Sequence, residues 1–168
     1  MDGRIIYFDH AATTRVKEEV LQEMSPFFSI EFGNSSAAYS LGRRARKKID
    51  EAREKVAKIM NANPKEIYFC ASGTESDNMA IKGVAYANRH KGNHIITTKT
   101  EHPAVLNTCK ALEKEGFDVT YLNVDSDGLI DVKELESSIC ERTILISIMF
   151  ANNEIGTIRS NKRNRRRC

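Results

Sequence analysis

The segment from Cys70 to Asn78, CASGTESDN, contains the clearest candidate for an anion-binding turn. Small and hydroxyl-bearing residues join a predicted strand to a predicted helix, so the backbone N–H groups of Gly73, Thr74 and Glu75 would point out of the start of that helix. The Thr74 hydroxyl could add one more hydrogen bond to a phosphate. An ordinary N-cap with a tight turn accounts for the same residues equally well. The segment contains neither the GxxxxGK(S/T) nor the GxGxxG spacing, so it is not a P-loop or a Rossmann turn.

His102 lies in a second junction of this kind, between Glu101 and Pro103 after a strand-like run. Ligands of open α/β sheets collect where the strands end, which is where this junction would lie. An imidazole in that position could stack on a flat heteroaromatic ring or transfer protons near neutral pH. The competing explanation is a solvent-exposed histidine that caps a helix, and from this residue alone that explanation is favoured.

Asn152, Asn153 and Glu154 directly follow the most apolar predicted strand. Polar residues that end an apolar strand abruptly are candidates for a site, because a fixed amide could meet a ligand hydroxyl or ring nitrogen. A plain surface turn explains them as well. Both interpretations stay open on these residues alone.

Two helices and a loop are predicted before the first of these junctions. Apolar residues at helical spacing predict a helix from Val16, with Thr14 as its cap and Pro26 near its end. Phe32–Tyr39, FGNSSAAY, is predicted to be a loop. The strongest periodicity runs from Leu41 to Ile59 and predicts a long amphipathic helix.

The rest of the chain alternates between strand and helix patterns, with a left-handed cap predicted at Gly116 and a capping box at Asp131 and Glu134. Strands are predicted at Ile67–Cys70, His94–Thr98, Phe117–Tyr121 and Thr143–Phe150, and helices at Glu75–Arg89, Pro103–Leu112 and Asp131–Ile139. Thr143–Phe150 is apolar on both faces, as expected of a central parallel strand. The order of elements predicts an α/β layered fold.

Composition favours a globular protein, since 40% of the 168 residues are apolar. Six basic residues and no acid lie in residues 159–168, so residues 1–158 carry a formal net charge of −3. The body of the chain therefore gives no electrostatic reason to expect nucleic acid or a membrane surface as a partner. The four cysteines lie far apart without histidine at ligand spacing, which argues against a metal site and for a reducing, cytoplasmic setting. Neither a secretory signal nor a membrane span is predicted.

Five motifs in a fixed order carry a resemblance that covers Ile5 to Ile158. They are IYFDHAATT, FGN, SGTESDN, HIITTKTEHPAVL and SIMFANNEIGTI. In this order and at this spacing they resemble the N-terminal part of cysteine desulfurases of the NifS-like group, in the class V aminotransferase branch of the fold-type I pyridoxal-phosphate (PLP) enzymes.

The resemblance implies a three-layer α/β sandwich with a mostly parallel sheet. Residues 1–158 would be the N-terminal part of the PLP-binding domain, including an arm and substrate loop in 1–40, and 159–168 a basic unstructured tail. Gly73 and Thr74 would hold the PLP phosphate, His102 would stack on the pyridine ring as a catalytic residue, and Asn153 would contact the ring hydroxyl. Asn34, in FGN, would lie near the substrate.

The resemblance also implies an activity, partners and a departure from the family. Members are homodimers that remove sulfur from L-cysteine, leaving L-alanine and a persulfide on an enzyme cysteine, from which sulfur passes to an acceptor protein, as in iron–sulfur cluster assembly. The family's cofactor-binding lysine, pyridine-pairing aspartate and persulfide cysteine come after the equivalent of Ile158 and have no counterpart here. Cys168 lies in the unmatched tail. We therefore expect a truncated chain that does not turn over cysteine alone and whose PLP binding is in doubt.

Two alternatives remain. One is another class V enzyme, such as a selenocysteine lyase or a related C–S lyase. The other is a non-catalytic module that pairs with a full-length desulfurase, or uses its basic tail on nucleic acid with strong salt dependence.

Overall fold

The computed structural model describes residues 5–158, and the predicted basic tail lies outside them. The described residues form two compact units, the first ending at Phe69 and the second beginning at Cys70. In the part of the chain that is described, no helix combines the length and apolar composition of a membrane span.

The first unit begins with a short helix, α1 (Glu18–Met24), followed by a 3₁₀ turn at Ser25–Phe28. The helix prediction from Val16 is correct in place but wrong in extent, and Thr14 does not cap it. Two glutamates occupy the first turn, where carboxylates stabilise the free N–H groups. Pro26 lacks a backbone N–H and so cannot donate the hydrogen bond that would continue the α-helix, which explains the change to a tighter turn.

The long helix α2 (Ser40–Met60) confirms the strongest periodicity in the sequence. It ends at Asn61, which adopts the left-handed conformation with φ 51°. Phe32–Tyr39 contains neither helix nor strand, as predicted. Gly42 is buried and packs so closely against this loop that a Cβ on it would stand only 2.3 Å from the Ala37 carbonyl oxygen. The helix and the loop that carries Asn34 are therefore packed backbone to backbone.

The second unit is built on a parallel sheet of three strands in the order β2-β1-β3. The strands are β1 (His94–Thr98), β2 (Asp118–Leu122) and β3 (Thr143–Ile146). The predicted parallel sheet is confirmed. The predicted central place of the last strand is wrong, because β1 lies in the middle and β3 at an edge of the described sheet.

Two predicted strands also differ from the structure. β3 stops at Ile146 rather than at Phe150. Ile67–Cys70 forms no strand, since among the described residues no segment pairs with it. The Ile67 N–H bonds to the Pro64 carbonyl, and the Ile67 carbonyl accepts from the Arg53 guanidinium at 3.3 Å.

Helices cover both faces of the sheet, which confirms the layered α/β architecture. On one face, α3 (Gly73–Asn88) and α4 (Pro103–Lys114) enclose the larger core, and α5 (Val132–Ser138) covers the other face. Neighbouring residues of β1 point to opposite layers, so Ile95 packs under α3 and α4 while Ile96 packs against Leu135 of α5.

The turns follow the sequence closely. Gly116 has the predicted left-handed conformation after α4, with φ 90°. Asp131 caps α5 by accepting a hydrogen bond from the Lys133 N–H at 2.8 Å. The predicted capping box is incomplete, because Glu134 instead accepts from the Asn123 side chain at 3.4 Å.

Candidate active site

The carboxyl ends of β1 and β3 lie at the same edge of the sheet because the two strands are parallel neighbours. The loop after β1 leads to His102, and the segment after β3 leads to Asn153. Two of the predicted junctions are therefore brought to one border, where α/β sheets bind ligands.

Glu101 joins these two segments. Its side chain is buried, and Oε1 accepts hydrogen bonds from the Thr98 hydroxyl at 3.1 Å and from the Met149 N–H at 2.7 Å. A buried carboxylate is stable only when it is hydrogen-bonded in this way. The sequence indicated Glu101 only as part of the His102 junction, without a role of its own.

Asn152 makes the second link between the same segments. Its amide donates to the Thr100 carbonyl at 3.1 Å, and its Oδ1 accepts from the N–H groups of Glu154 and Ile155 at 2.8 and 3.1 Å. Asn152 is buried, whereas Asn153 is exposed and donates to the Glu154 carboxylate at 3.0 Å. The buried Asn152 therefore fixes the turn that carries Asn153.

His102 is the N-cap of α4. Its Nδ1 accepts a hydrogen bond from the Ala104 N–H at 3.1 Å, so the capping explanation for this histidine is confirmed. An accepting Nδ1 carries no proton, which leaves the proton of the neutral ring on Nε2. The ring is exposed, and its Nε2–H takes no part in capping the helix.

The start of α3 is an open helix end. Ser72 is its N-cap and accepts from the Glu75 N–H at 3.2 Å, while the Glu75 carboxylate accepts from the Ala71 N–H at 2.6 Å. Gly73 and Thr74 are exposed, and their N–H groups have no acceptor among the described residues. No other group lies within 4 Å of where a Cβ on Gly73 would stand. Two backbone donors and a hydroxyl are therefore available to an anion.

The direction of α3 follows from contacts at its far end. The Tyr86 hydroxyl donates to the Glu115 carboxylate at 3.0 Å, and the Arg89 guanidinium donates to the Glu115 carbonyl and lies 5.0 Å over the Phe117 ring. The carboxyl ends of α3 and α4 therefore meet, and the two packed helices run in the same direction. The start of α3, with Thr74, lies at the same end of this unit as His102.

Asn34 belongs to the first unit, in the loop that packs on α2. Its Oδ1 accepts from the Ser36 N–H at 2.9 Å, and its carbonyl accepts from the Ala37 N–H at 2.9 Å. The side chain is exposed. Its place is thus fixed by a local turn and by the close approach of Gly42.

Comparison with known proteins identifies the family. The family model described as Aminotransferase class-V matches residues 6–167. The chain belongs to the aminotransferase class-V family. Cysteine desulfurase IscS of Clostridium botulinum strain Hall is 56% identical to this class-V chain over 153 residues, which are 91% of the chain and 38% of the relative. The protein of the same name from Methanosarcina thermophila is 53% identical over 157 residues, or 94% of the chain and 39% of the relative.

Solved structures agree. A "NifS-like protein" superposes with a TM-score of 0.92 at 45% identity, covering 96% of this class-V chain and 44% of that one. "SspA in complex with cysteine" gives 0.86 at 45% identity, covering 92% of the chain and 44% of that structure. These matches confirm the predicted resemblance, the PLP-transferase fold and PLP as the family's cofactor. The chain spans about 38 to 39% of the length of the two curated relatives named above.

Proposed function

We propose that the second unit supplies part of a PLP site in a cysteine desulfurase. The observation that carries this proposal is the placement of Thr74, His102 and Asn153 toward one end of the sheet. The donor set suits the cofactor, since it offers backbone N–H groups for a phosphate and an exposed imidazole for a flat ring. Residues 1–158 would then be the N-terminal part of the PLP-binding domain.

In this proposal the start of α3 binds the phosphate. The N–H groups of Gly73 and Thr74 point out of the helix, and the helix dipole favours an anion there. The Thr74 hydroxyl adds a third donor. Glu75 keeps its carboxylate on the Ala71 N–H, which leaves the donors of Gly73 and Thr74 uncovered.

His102 would lie against the pyridine ring as the catalytic residue of this unit. The Ala104 N–H holds Nδ1, so the ring cannot rotate freely about its Cβ, and Nε2 is the atom able to exchange a proton with a bound substrate. The flat imidazole can stack while its capping bond stays intact.

The Asn153 amide would donate a hydrogen bond to the cofactor's ring hydroxyl in place of its present acceptor, the Glu154 carboxylate. Asn152 and Glu101 do not reach a ligand themselves in this proposal. They are positioning residues that hold the two segments together, as buried partners around functional groups commonly do.

For the whole protein we propose desulfuration of L-cysteine to L-alanine, with the sulfur passing to an enzyme cysteine as a persulfide. When bound, PLP supplies the electron sink for breaking bonds at the substrate's α-carbon. The names of the curated relatives and a structural neighbour described as a complex with cysteine support this substrate. We place Asn34 near the substrate, and we propose a cytoplasmic homodimer that delivers sulfur to an acceptor protein.

Binding of PLP by the 168-residue chain tests the site. Fluorescence titration should show that PLP binds more tightly than pyridoxal, which lacks the phosphate, and that Thr74→Val, which removes one of the three donors, reduces this difference. His102→Gln should weaken binding of both compounds, whereas His90→Gln, an exposed histidine outside the site, should not. Equal affinity for PLP and pyridoxal in the unmodified chain would refute the phosphate site.

A second measurement separates binding from turnover. With PLP and L-cysteine, the 168-residue chain alone should release no sulfide. Neither the family's cofactor-binding lysine nor its persulfide-forming cysteine has a counterpart in this sequence. Sulfide release by the purified chain would contradict this expectation.

A further inference from the structure

Cys140 lies at the amino edge of the sheet, the border opposite the proposed PLP site. It precedes β3 and is exposed. Its backbone N–H donates to the Thr143 hydroxyl oxygen at 2.9 Å, and its sulfur lies 3.6 Å from both Thr143 Oγ1 and His94 Nδ1. The thiol is therefore part of a cluster with a histidine and a hydroxyl.

His94 is held rigidly in this cluster. It is the buried first residue of β1, and its ring spans the sheet between Thr143 Oγ1 at 2.8 Å from Nδ1 and Thr120 Oγ1 at 2.9 Å from Nε2. Burial, followed by the charge of Arg142, lowers the pKa of His94. The ring is therefore neutral at pH 7 and acts as a fixed polar partner rather than as a cation.

One assignment of hydrogens satisfies every contact in the cluster except the 3.6 Å approach of the Cys140 sulfur to His94 Nδ1, whose hydrogen goes to Thr143. His94 donates from Nδ1 to the Thr143 oxygen, which also accepts from the Cys140 N–H. The Thr143 hydroxyl is then free to donate its own proton to the Cys140 sulfur, and the Thr120 hydroxyl donates to Nε2. A hydroxyl aimed at sulfur favours the thiolate over the thiol.

We propose that Cys140 is a modification site that reacts with low-molecular-weight disulfides. The Cys140 thiolate attacks one sulfur of the disulfide and forms a mixed disulfide, while the original S–S bond breaks and the departing thiolate takes a proton from water. Cys140 is oxidised and the departing half is reduced, so no other oxidant is needed. This site goes beyond the proposed function and uses none of its residues.

The electrostatic surroundings support this reactivity. The hydrogen bond from Thr143 is the main cause that lowers the pKa of Cys140, followed by the backbone N–H of Arg142. Partial desolvation opposes these hydrogen bonds, and the charge of the Arg142 guanidinium acts in their direction. Arg142 is held by Asp118 at 2.5 Å, whose carboxylate offsets part of that charge, and Glu141 adds an exposed acid beside the thiol. We therefore choose a neutral disulfide as the probe.

The other described cysteines form an internal contrast. Cys109 is fully buried in the core under α3 and α4, and burial raises its pKa to about 11. Cys70 is partly buried and has no comparable cluster. Reactive thiols are those that combine exposure with a stabilised thiolate.

The test uses the reduced, full-length chain carrying Cys168→Ser, with 4,4′-dithiodipyridine as the probe and peptide mapping to assign each modified thiol. At pH 7.5 we expect Cys140 to react at least about tenfold faster than Cys70 and Cys109, as expected for a thiol with a stabilised thiolate. Cys140→Ser should remove the fast phase. In 8 M urea the three rates should become equal. A folded chain in which Cys140 reacts no faster than Cys70 would overturn the proposal.

A pair of threonine variants tests the geometry. Thr143→Val removes the hydroxyl that contacts the sulfur and should slow Cys140 several-fold. Thr120→Val removes the other partner of His94 but does not touch Cys140, so its rate should stay within twofold of the parent. Equal slowing in both variants would show that general loosening of the sheet edge, and not the Thr143 hydroxyl, controls the thiol, which would contradict the proposed site.

Discussion

The buried carboxylate of Glu101 accepts a hydrogen bond from the backbone N–H of Met149 at 2.7 Å, which joins the segments after β1 and β3. The two residues are 48 positions apart in the chain. This bond places the loop that carries His102 beside the turn that carries Asn153. Removal of the carboxylate should therefore destabilise the second unit and loosen the candidate site together.

Glu101→Ala should lower the free energy of unfolding by about 2 kcal/mol, because the Met149 N–H and the Thr98 hydroxyl lose a buried acceptor. Urea denaturation measures this change. Glu101→Gln keeps an oxygen acceptor of the same shape and should cost clearly less. Faster hydrogen exchange of the Met149 amide in the alanine variant would locate the effect, and equal costs for both variants would contradict it.

Asn152 and Asn153 should separate stability from binding. Asn152→Ala removes the four hydrogen bonds of a buried amide, one of them to the Met149 sulfur, and should cost about 2 kcal/mol of unfolding free energy. Asn153→Ala affects an exposed side chain and should change stability by less than about 0.5 kcal/mol while weakening PLP binding. Chemical denaturation and PLP titration on both variants check this. A large stability loss in Asn153→Ala would contradict the assigned roles.

Thr97 and Thr98 form a matched pair in the central strand. The Thr97 hydroxyl is buried without a hydrogen-bond partner among the described residues, so Thr97→Val should raise the free energy of unfolding by about 1 kcal/mol. Thr98→Val removes the donor to Glu101 and should lower it by a similar amount. Thermal denaturation gives both signs. The same sign for both substitutions would disprove the assignment of partners.

Local patterns were enough to predict most helices and strands of the second unit. The change of the apolar residues from helical to strand-like spacing predicted β1 at its observed bounds. Pro103 and Gly116 marked the two ends of α4. Ile67–Cys70 had a strand pattern too, but a strand also requires a pairing partner, which no local pattern reports. The shortened β3 has the same explanation.

The sequence alone could not predict which residues hold the candidate site together. Glu101 and Asn152 act across 48 and 52 residues, so their roles depend on which strands become neighbours. Motif order placed His102 and Asn153 in one family pattern, and the parallel sheet now places their segments at one edge. Their contacts with a cofactor stay predictions, as does the role of Asn34.

The pKa shift of His94 predicts how stability depends on pH. Burial lowers the pKa of this histidine in the folded chain, so the unfolded chain binds its proton more readily. The contribution of His94 is therefore complete above the unfolded pKa of about 6.5 and is lost as the pH falls through the lower folded value. Urea denaturation between pH 8 and 5 should show this loss.

Two measurements isolate His94 from the other histidines. NMR titration of its ring should give a pKa below that of an unfolded histidine, and a value at or above it would refute the prediction. His94→Gln should remove this pH dependence, since the variant has no ring to protonate at that position. Asp118, whose pKa is lowered mainly by its hydrogen bond with Arg142, also loses stabilising contacts in acid, but only at a lower pH.

Gly42 and Gly83 should respond to alanine with opposite signs, although both lie inside helices. A Cβ on Gly42 would stand 2.3 Å from the Ala37 carbonyl oxygen, so Gly42→Ala must push the Asn34 loop away from α2. Overpacking of this kind costs about 1 to 3 kcal/mol. Gly83 meets nothing within 4 Å, and Gly83→Ala should stabilise α3 by about 0.5 to 1 kcal/mol. Thermal denaturation of both variants decides, and a stabilised Gly42→Ala would show that the loop does not need this close approach.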